Sequence, residues 1–128
     1  MLTVWQKEKV TTLIVALRSG GYEQGISYLR TPNNKFCCLG VACDLVDSGE
    51  WRKSVSGDYY FLDKSALLPE SITQMYGFSS YYGVAAEDIM DMRKLATSPV
   101  YWNLTTLNDE GFTFSMIADI IEYWLENN

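Results

Sequence analysis

The sequence predicts an α+β fold: a single compact domain in which N- and C-terminal helices pack on a small antiparallel sheet, with a buried helix at the centre. Three observations carry this expectation. Apolar residues recur at helical spacing near both ends of the 128-residue chain, short aromatic and β-favouring runs lie between turn residues, and Cys38 to Val46 is almost uniformly small or apolar. With 48% apolar and 20% charged residues, the chain falls among globular proteins. No internal repeat and no linker rich in Pro, Gly or Ser divides residues 1–128, so one domain is expected.

Taken in order, residues 3–18 read as a helix, because Val10, Leu13, Ile14 and Leu17 fall on one face and Gly20 and Gly21 follow as stop signals. Val4 and Val15 lie on the opposite face and mark a candidate second contact surface. "ISYLRTPNNKFC" at 26–37 reads as a hairpin around Pro32, Asn33 and Asn34, which would bring Arg30 and Lys35 near each other. Cys38 to Val46 is the buried central helix, with Asp44 its polar exception. "YYFLD" at 59–63 reads as a strand. "PESITQMYG" reads as a short helix with Pro69 in its first turn and Gly77 at its end. A further helix is expected from about Val84 to Leu95. A β-favouring run, "VYWNLTTL", follows, then a turn at "NDEG", and then the clearest amphipathic helix, 113–126. In that last helix Phe114, Ile117, Ala118, Ile121, Trp124 and Leu125 fill one arc, and Thr113 is its expected N-cap.

The chain contains no histidine, which removes Ser-His-Asp and Cys-His nucleophiles, His-ligated catalytic zinc and His general bases. Cys37, Cys38 and Cys43 supply only three zinc ligands, so no metal site is expected, and their apolar neighbours favour core packing. The reactive alternative is a Cys38 thiolate at a helix N-terminus near Lys35. Thr106 and Ile117 would stand at the end positions of a calcium loop centred on Gly111, and neither is a carboxylate; Asn108 and Asp109 are expected to bond nearby backbone amides instead. No phosphate-cradling glycine motif is present, and no cofactor is expected.

Net charge is −6, unevenly spread: residues 1–64 hold eight Lys or Arg against seven Asp or Glu, and residues 65–128 hold two against nine. Nucleic acid is therefore disfavoured as a partner, a cationic site belongs in the first half, and a basic partner suits the second. No apolar run approaches the roughly 20 residues of a membrane span, and the N-terminus lacks the pattern of a signal peptide, so a cytoplasmic protein with no membrane partner is expected.

Nine tyrosines are present, several of them in "MYGFSSYYG" at 75–83, where Tyr, Ser and Gly together suit an adaptable recognition surface. Tyr81, Tyr82 and Phe78 are the candidate contact residues there; the competing reading packs these rings on the core against Phe78 or Trp102.

"ALRSGGYEQG", "LRT", "KFCCLGVACDL", "LPESI" and "LNDEGFTFSMIADIIE" occur in this order along most of the chain. Together they resemble a family of small, mostly uncharacterised proteins of tailed bacteriophages. That resemblance implies a phage origin and carries no catalytic residues with it; the segment from about 77 to 103 departs from it. The leading expectation is an accessory protein that binds a host protein stoichiometrically, as a modulator or inhibitor with a counter-defence role, through Tyr81 and Tyr82. The alternative is a sponge for a nucleotide-type small molecule, in which Arg18, Arg30, Lys35 or Arg52 holds the phosphates and a homo-oligomer helps to enclose the ligand. An enzyme using carboxylates or Cys38 is the third.

Overall fold

Residues 1–84 and 103–128 are described by the structure, a computed structural model. Helix α1, Val4–Arg18, starts where Thr3 and Gln6 cap each other: each side chain accepts from the other's backbone N–H, at 3.0 and 2.9 Å. The predicted stripe of Val10, Leu13, Ile14 and Leu17 is buried. Each such aliphatic side chain removed from water contributes about 1.5–3 kcal/mol. Val4 and Val15 on the other face are exposed, at 75% and 62%.

The hairpin expected over 26–37 is reduced to its turn. Asn34 N–H donates to Thr31 O at 2.9 Å and Thr31 N–H to Lys35 O at 2.7 Å, but Arg30 and Phe36 form only an isolated bridge. The cause lies at the next pair: Cys37 N–H donates to Leu29 O at 3.2 Å, but Leu29 N–H donates to Ser65 O at 2.8 Å and Cys37 O accepts from Val41 N–H at 3.1 Å. Both groups of the return bond are taken elsewhere, so the ladder does not extend.

Helix α2, Cys38–Val46, has the predicted bounds, and Cys38 to Cys43 are all buried. A single turn of 3₁₀ helix, Ser48–Glu50, leads into strand β1, Trp51–Lys53, which pairs antiparallel with β2, Tyr59–Phe61. The expected strand thus ends two residues early, because Leu62 and Asp63 form a tight turn closed by Phe61 and Lys64. Helix α3, Glu70–Tyr76, begins after Pro69, which stands just outside it with extended ψ, and closes on left-handed Gly77.

The described part of the β-favouring run, 103–107, enters a helix instead. Asn103 caps helix α4, Leu104–Asp109, by accepting from Thr106 N–H at 2.9 Å, and Leu104 and Leu107 go into the core one turn apart. Packing of that apolar pair outweighs the strand preference of Thr105 and Thr106. Helix α5, Phe114–Glu126, matches its prediction, including the Thr113 cap. The helix expected at about 84–95, and Trp102, lie outside the described residues.

The result is an α+β domain with a two-stranded antiparallel sheet and α2 buried at its centre. The terminal helices pack most extensively on each other, antiparallel, with Leu2 N–H reaching Asn128 O at one end and Arg18 reaching Asp119 and Glu122 nearer the other. No helix among the described residues is long and apolar enough to cross a membrane.

Candidate functional site: a tyrosine turn beside an apolar groove

Two tight turns meet at the start of α3. In the first, Phe61 and Lys64 exchange backbone hydrogen bonds of 2.8 and 3.0 Å, and Leu62 at its tip takes φ +54° while 45% exposed. A non-glycine residue in that left-handed region is disfavoured by about 1 kcal/mol, and burial of the leucine does not offset it. In the second turn, Gly83 N–H donates to Ser80 O at 3.0 Å, with Gly83 at φ +88°. A Cβ on Gly83 would press to 2.8 Å from Leu104 Cδ1, so the turn sits directly on the core.

The tyrosines of this second turn are held by their backbone and remain partly exposed. Tyr81 O accepts from Leu68 N–H at 3.1 Å, and Tyr82 O accepts from Thr105 N–H at 3.4 Å. Their side chains are 47% and 44% exposed. Between the turns lies a groove of about 280 Å³ walled by Leu62, Leu67, Leu68, Pro69 and Tyr81. Asp63, Lys64 and Glu70 supply its polar lining. A rigid aromatic beside an apolar recess with a few charges has the physical make-up of a binding anchor.

Phe78 does not join this surface. It is 6% exposed, stacks on Tyr76 with centroids 5.3 Å apart, and tilts against Trp124 at 5.5 Å. Among the three rings of the predicted patch, the expectation therefore fails for Phe78, because the left-handed Gly77 turns the chain back toward α5 and the core.

The four predicted cations do not share one site. Arg18 bridges Asp119 at 2.7 Å and Glu122 at 3.0 Å on α5, and its hydrogen bonds hold the Glu122 carboxyl below its ordinary value of 4.5. Lys35 pairs with Glu23 at 3.6 Å. Arg52 donates through Nη1 to the carbonyls of Gly49 and Trp51, at 3.1 and 3.2 Å. Along β1, Arg52 points opposite to Trp51 and Lys53, whereas Arg30 lies over the Trp51 and Tyr59 rings, at 5.5 and 4.0 Å from their centroids. Lys53, 5.1 Å from the Tyr59 centroid, joins Arg30 there, and sequence reasoning passed over it because it looks like any surface lysine.

The cysteines form part of the core. All three are free thiols and buried, and burial pushes the Cys37 thiol up to about 11 and raises those of Cys38 and Cys43. Cys37 stands at the N-cap of α2, its Sγ accepting from Gly40 N–H at 3.4 Å, while Cys38 Sγ faces Leu104 O at 3.7 Å. A thiolate is the reactive form, and these surroundings disfavour it. No group of three or more Cys, Asp or Glu among the described residues could hold a metal ion.

Asn108 is the residue that sequence reasoning misplaced. It is 1% exposed and bonds backbone far away in sequence, accepting from Cys38 N–H at 3.2 Å and donating to Gly25 O at 2.8 Å. The Gln24 amide donates to Asn108 Oδ1 at 2.9 Å and to Phe112 O at 2.7 Å, and accepts from Phe114 N–H at 3.1 Å. Asp109 reaches Ser27 N–H at 3.0 Å. These amides tie the 24–27 loop, the start of α2 and the α4–α5 corner together. One sequence signal does point there, an asparagine placed directly after the core residue Leu107.

A family described as "Domain of unknown function (DUF8296)" matches residues 6–125. The chain belongs to this family. No curated protein and no solved structure matches it. The matched span takes in the cysteine helix, the Asn108 network and the tyrosine turn, so all three lie within the family's domain.

Proposed function

We propose that this protein acts by stoichiometric binding of another protein, with Tyr81 and Tyr82 as the anchors and the adjoining groove as the recess that receives partner side chains. The observation that supports this reading is the contrast at those residues between a backbone fixed to Leu68 and Thr105 and side chains left nearly half exposed beside the groove. Such rings offer large contact area at low entropic cost. The −7 balance of residues 65–128 favours a partner with a basic face. The resemblance to tailed-bacteriophage proteins directs the search to a bacterial host protein, bound in the host cytoplasm so as to modulate or inhibit it, with counter-defence as one use.

The test is recovery of the tagged protein from bacterial lysate followed by native mass spectrometry. The wild-type chain is expected to carry a partner protein in fixed ratio. Tyr81→Ala and Tyr82→Ala should each weaken that complex by more than about 1 kcal/mol. Val55→Ser, at a fully exposed apolar residue in the 54–58 turn, should leave it unchanged. A partner retained at full ratio by the double tyrosine variant would remove these residues from the interface.

A further inference from the structure

We propose that Arg30 and Lys53, gathered on the ring of Tyr59, form a binding site for a small phosphate-bearing anion, separate from the tyrosine turn. Arg30 lies over a cluster of rings, 4.0 Å from the centroid of Tyr59, 5.2 Å from Phe36 and 5.5 Å from Trp51. Asn34 Oδ1 accepts from its Nε at 3.0 Å and from its Nη2 at 2.7 Å. The guanidinium is therefore fixed in position, with Nη1 given no acceptor by any described residue. Lys53 Nζ approaches the same Tyr59 ring at 5.1 Å.

What sets this pair apart is the shared ring, since both cations face Tyr59. The chain holds 16 acids against 10 bases, yet among the described residues neither Arg30 nor Lys53 lies within ion-pair distance of a carboxylate. Asp44 reaches the same ring cluster from α2, but its two oxygens accept from the Tyr22 hydroxyl at 2.6 Å and from Trp51 Nε1 at 3.0 Å. Two cations drawn to one ring without a counter-charge repel each other, and an anion that accepts from both relieves that repulsion.

The geometry favours phosphate over other anions. Arg30 and Lys53 lie 4.0 and 5.1 Å from one ring centroid, so no more than about 9 Å separates them, a span that the several oxygens and charges of a phosphate or diphosphate can bridge. The guanidinium already covers one face of Tyr59, so recognition falls on the phosphate and not on a base stacked there. A long polyanion is disfavoured, because the chain as a whole carries a net charge of −6. The site rests on neither Tyr81 nor Tyr82, and the partner-binding reading stands or falls without it.

The test is a two-dimensional NMR titration of the whole chain at low salt with inorganic pyrophosphate, and in a second arm with ADP. Saturable shifts are expected at Arg30, Lys53 and Tyr59, with a dissociation constant at or below about 1 mM. Equal affinity for both ligands would show that the phosphate alone is read, and at least tenfold tighter binding of ADP would show a nucleotide source; either supports the site. Lys53→Gln, at an exposed side chain, should weaken binding at least tenfold, whereas Arg52→Gln on the opposite strand face should leave it unchanged. Absence of saturation with both ligands, or equal weakening by Lys53→Gln and Arg52→Gln, would overturn the proposal. Arg30→Gln is the second variant, read by its spectrum for an intact ring cluster before its affinity is compared.

Discussion

The two most distinctive stretches of this chain, "KFCCLGVACDL" and the tyrosine-rich "GFSSYYG", have opposite fates in the fold. The first disappears into the core: Cys37 to Cys43 are buried throughout, and the polar groups at its start are bonded by Asn108 and by the Cys37 sulfur. The second leaves Tyr81 and Tyr82 at the surface beside an apolar groove. The comparison teaches that an unusual composition has two physical sources. Close packing selects small residues for shape, whereas Tyr81 and Tyr82 leave ring area at the surface that packing does not use.

The sharpest way to break the comparison is at Gly40. A Cβ there would collide with the backbone carbonyl of Leu29, which cannot rotate away. Gly40→Ala should cost about 3 kcal/mol or more, at the upper end of overpacking effects, measured as the shift in urea unfolding midpoint. A loss below about 1 kcal/mol would mean that α2 is not held as tightly as its burial implies. Next comes Asn108→Leu, which leaves Cys38 N–H and Gly25 O without their partner and removes an acceptor from Gln24. About 2–3 kcal/mol of destabilisation is expected from stranding buried backbone groups.

A third prediction concerns pH. The Cys37, Cys38, Cys43 and Tyr76 side chains all hold their protons more tightly when folded than when unfolded, because burial disfavours their anions. Their contribution to stability is therefore complete below about pH 9, the ordinary thiol value, and is lost as pH rises through the raised folded values. The unfolding midpoint should fall steadily above pH 9, and the thiols should stay unlabelled by alkylating reagents at neutral pH until the chain unfolds. Rapid labelling of any cysteine in the native protein would return that residue to the list of reactive groups.

The smallest effect is expected at Leu62. Leu62→Asn suits the left-handed backbone better, so it should raise stability by about 0.5 kcal/mol while weakening partner binding, because the groove loses an apolar wall. A variant that is stabilised yet binds unchanged would detach the groove from the function.

Much of the fold is legible in the residues, and the reasons differ by element. Helices α1 and α5 follow from periodicity alone, since Leu13 and Ile14, or Ile117 and Ile121, align on one face. Helix α2 follows from an apolar run bounded by polar residues. The shortened hairpin did not follow, because Leu29 N–H is taken by Ser65, distant in sequence, and the Cys37 carbonyl by the first turn of α2. The helix at Leu104 was hidden for a related reason: two core contacts outweighed local strand preference. The tyrosine surface was half legible. Composition singled out the segment, but only the backbone bonds to Leu68 and Thr105 and the left-handed Gly77 separate Tyr81 and Tyr82 from buried Phe78.

The central claim is that Tyr81 and Tyr82 serve binding and contribute little to the fold, and one paired measurement tests it most directly: thermal unfolding and partner recovery for the same Tyr81→Ala, Tyr82→Ala double variant. A stability within about 0.5 kcal/mol of wild type is expected for each exposed substitution, together with loss of the co-purifying protein. A variant that unfolds readily, or one that keeps its stability and its partner alike, would contradict it.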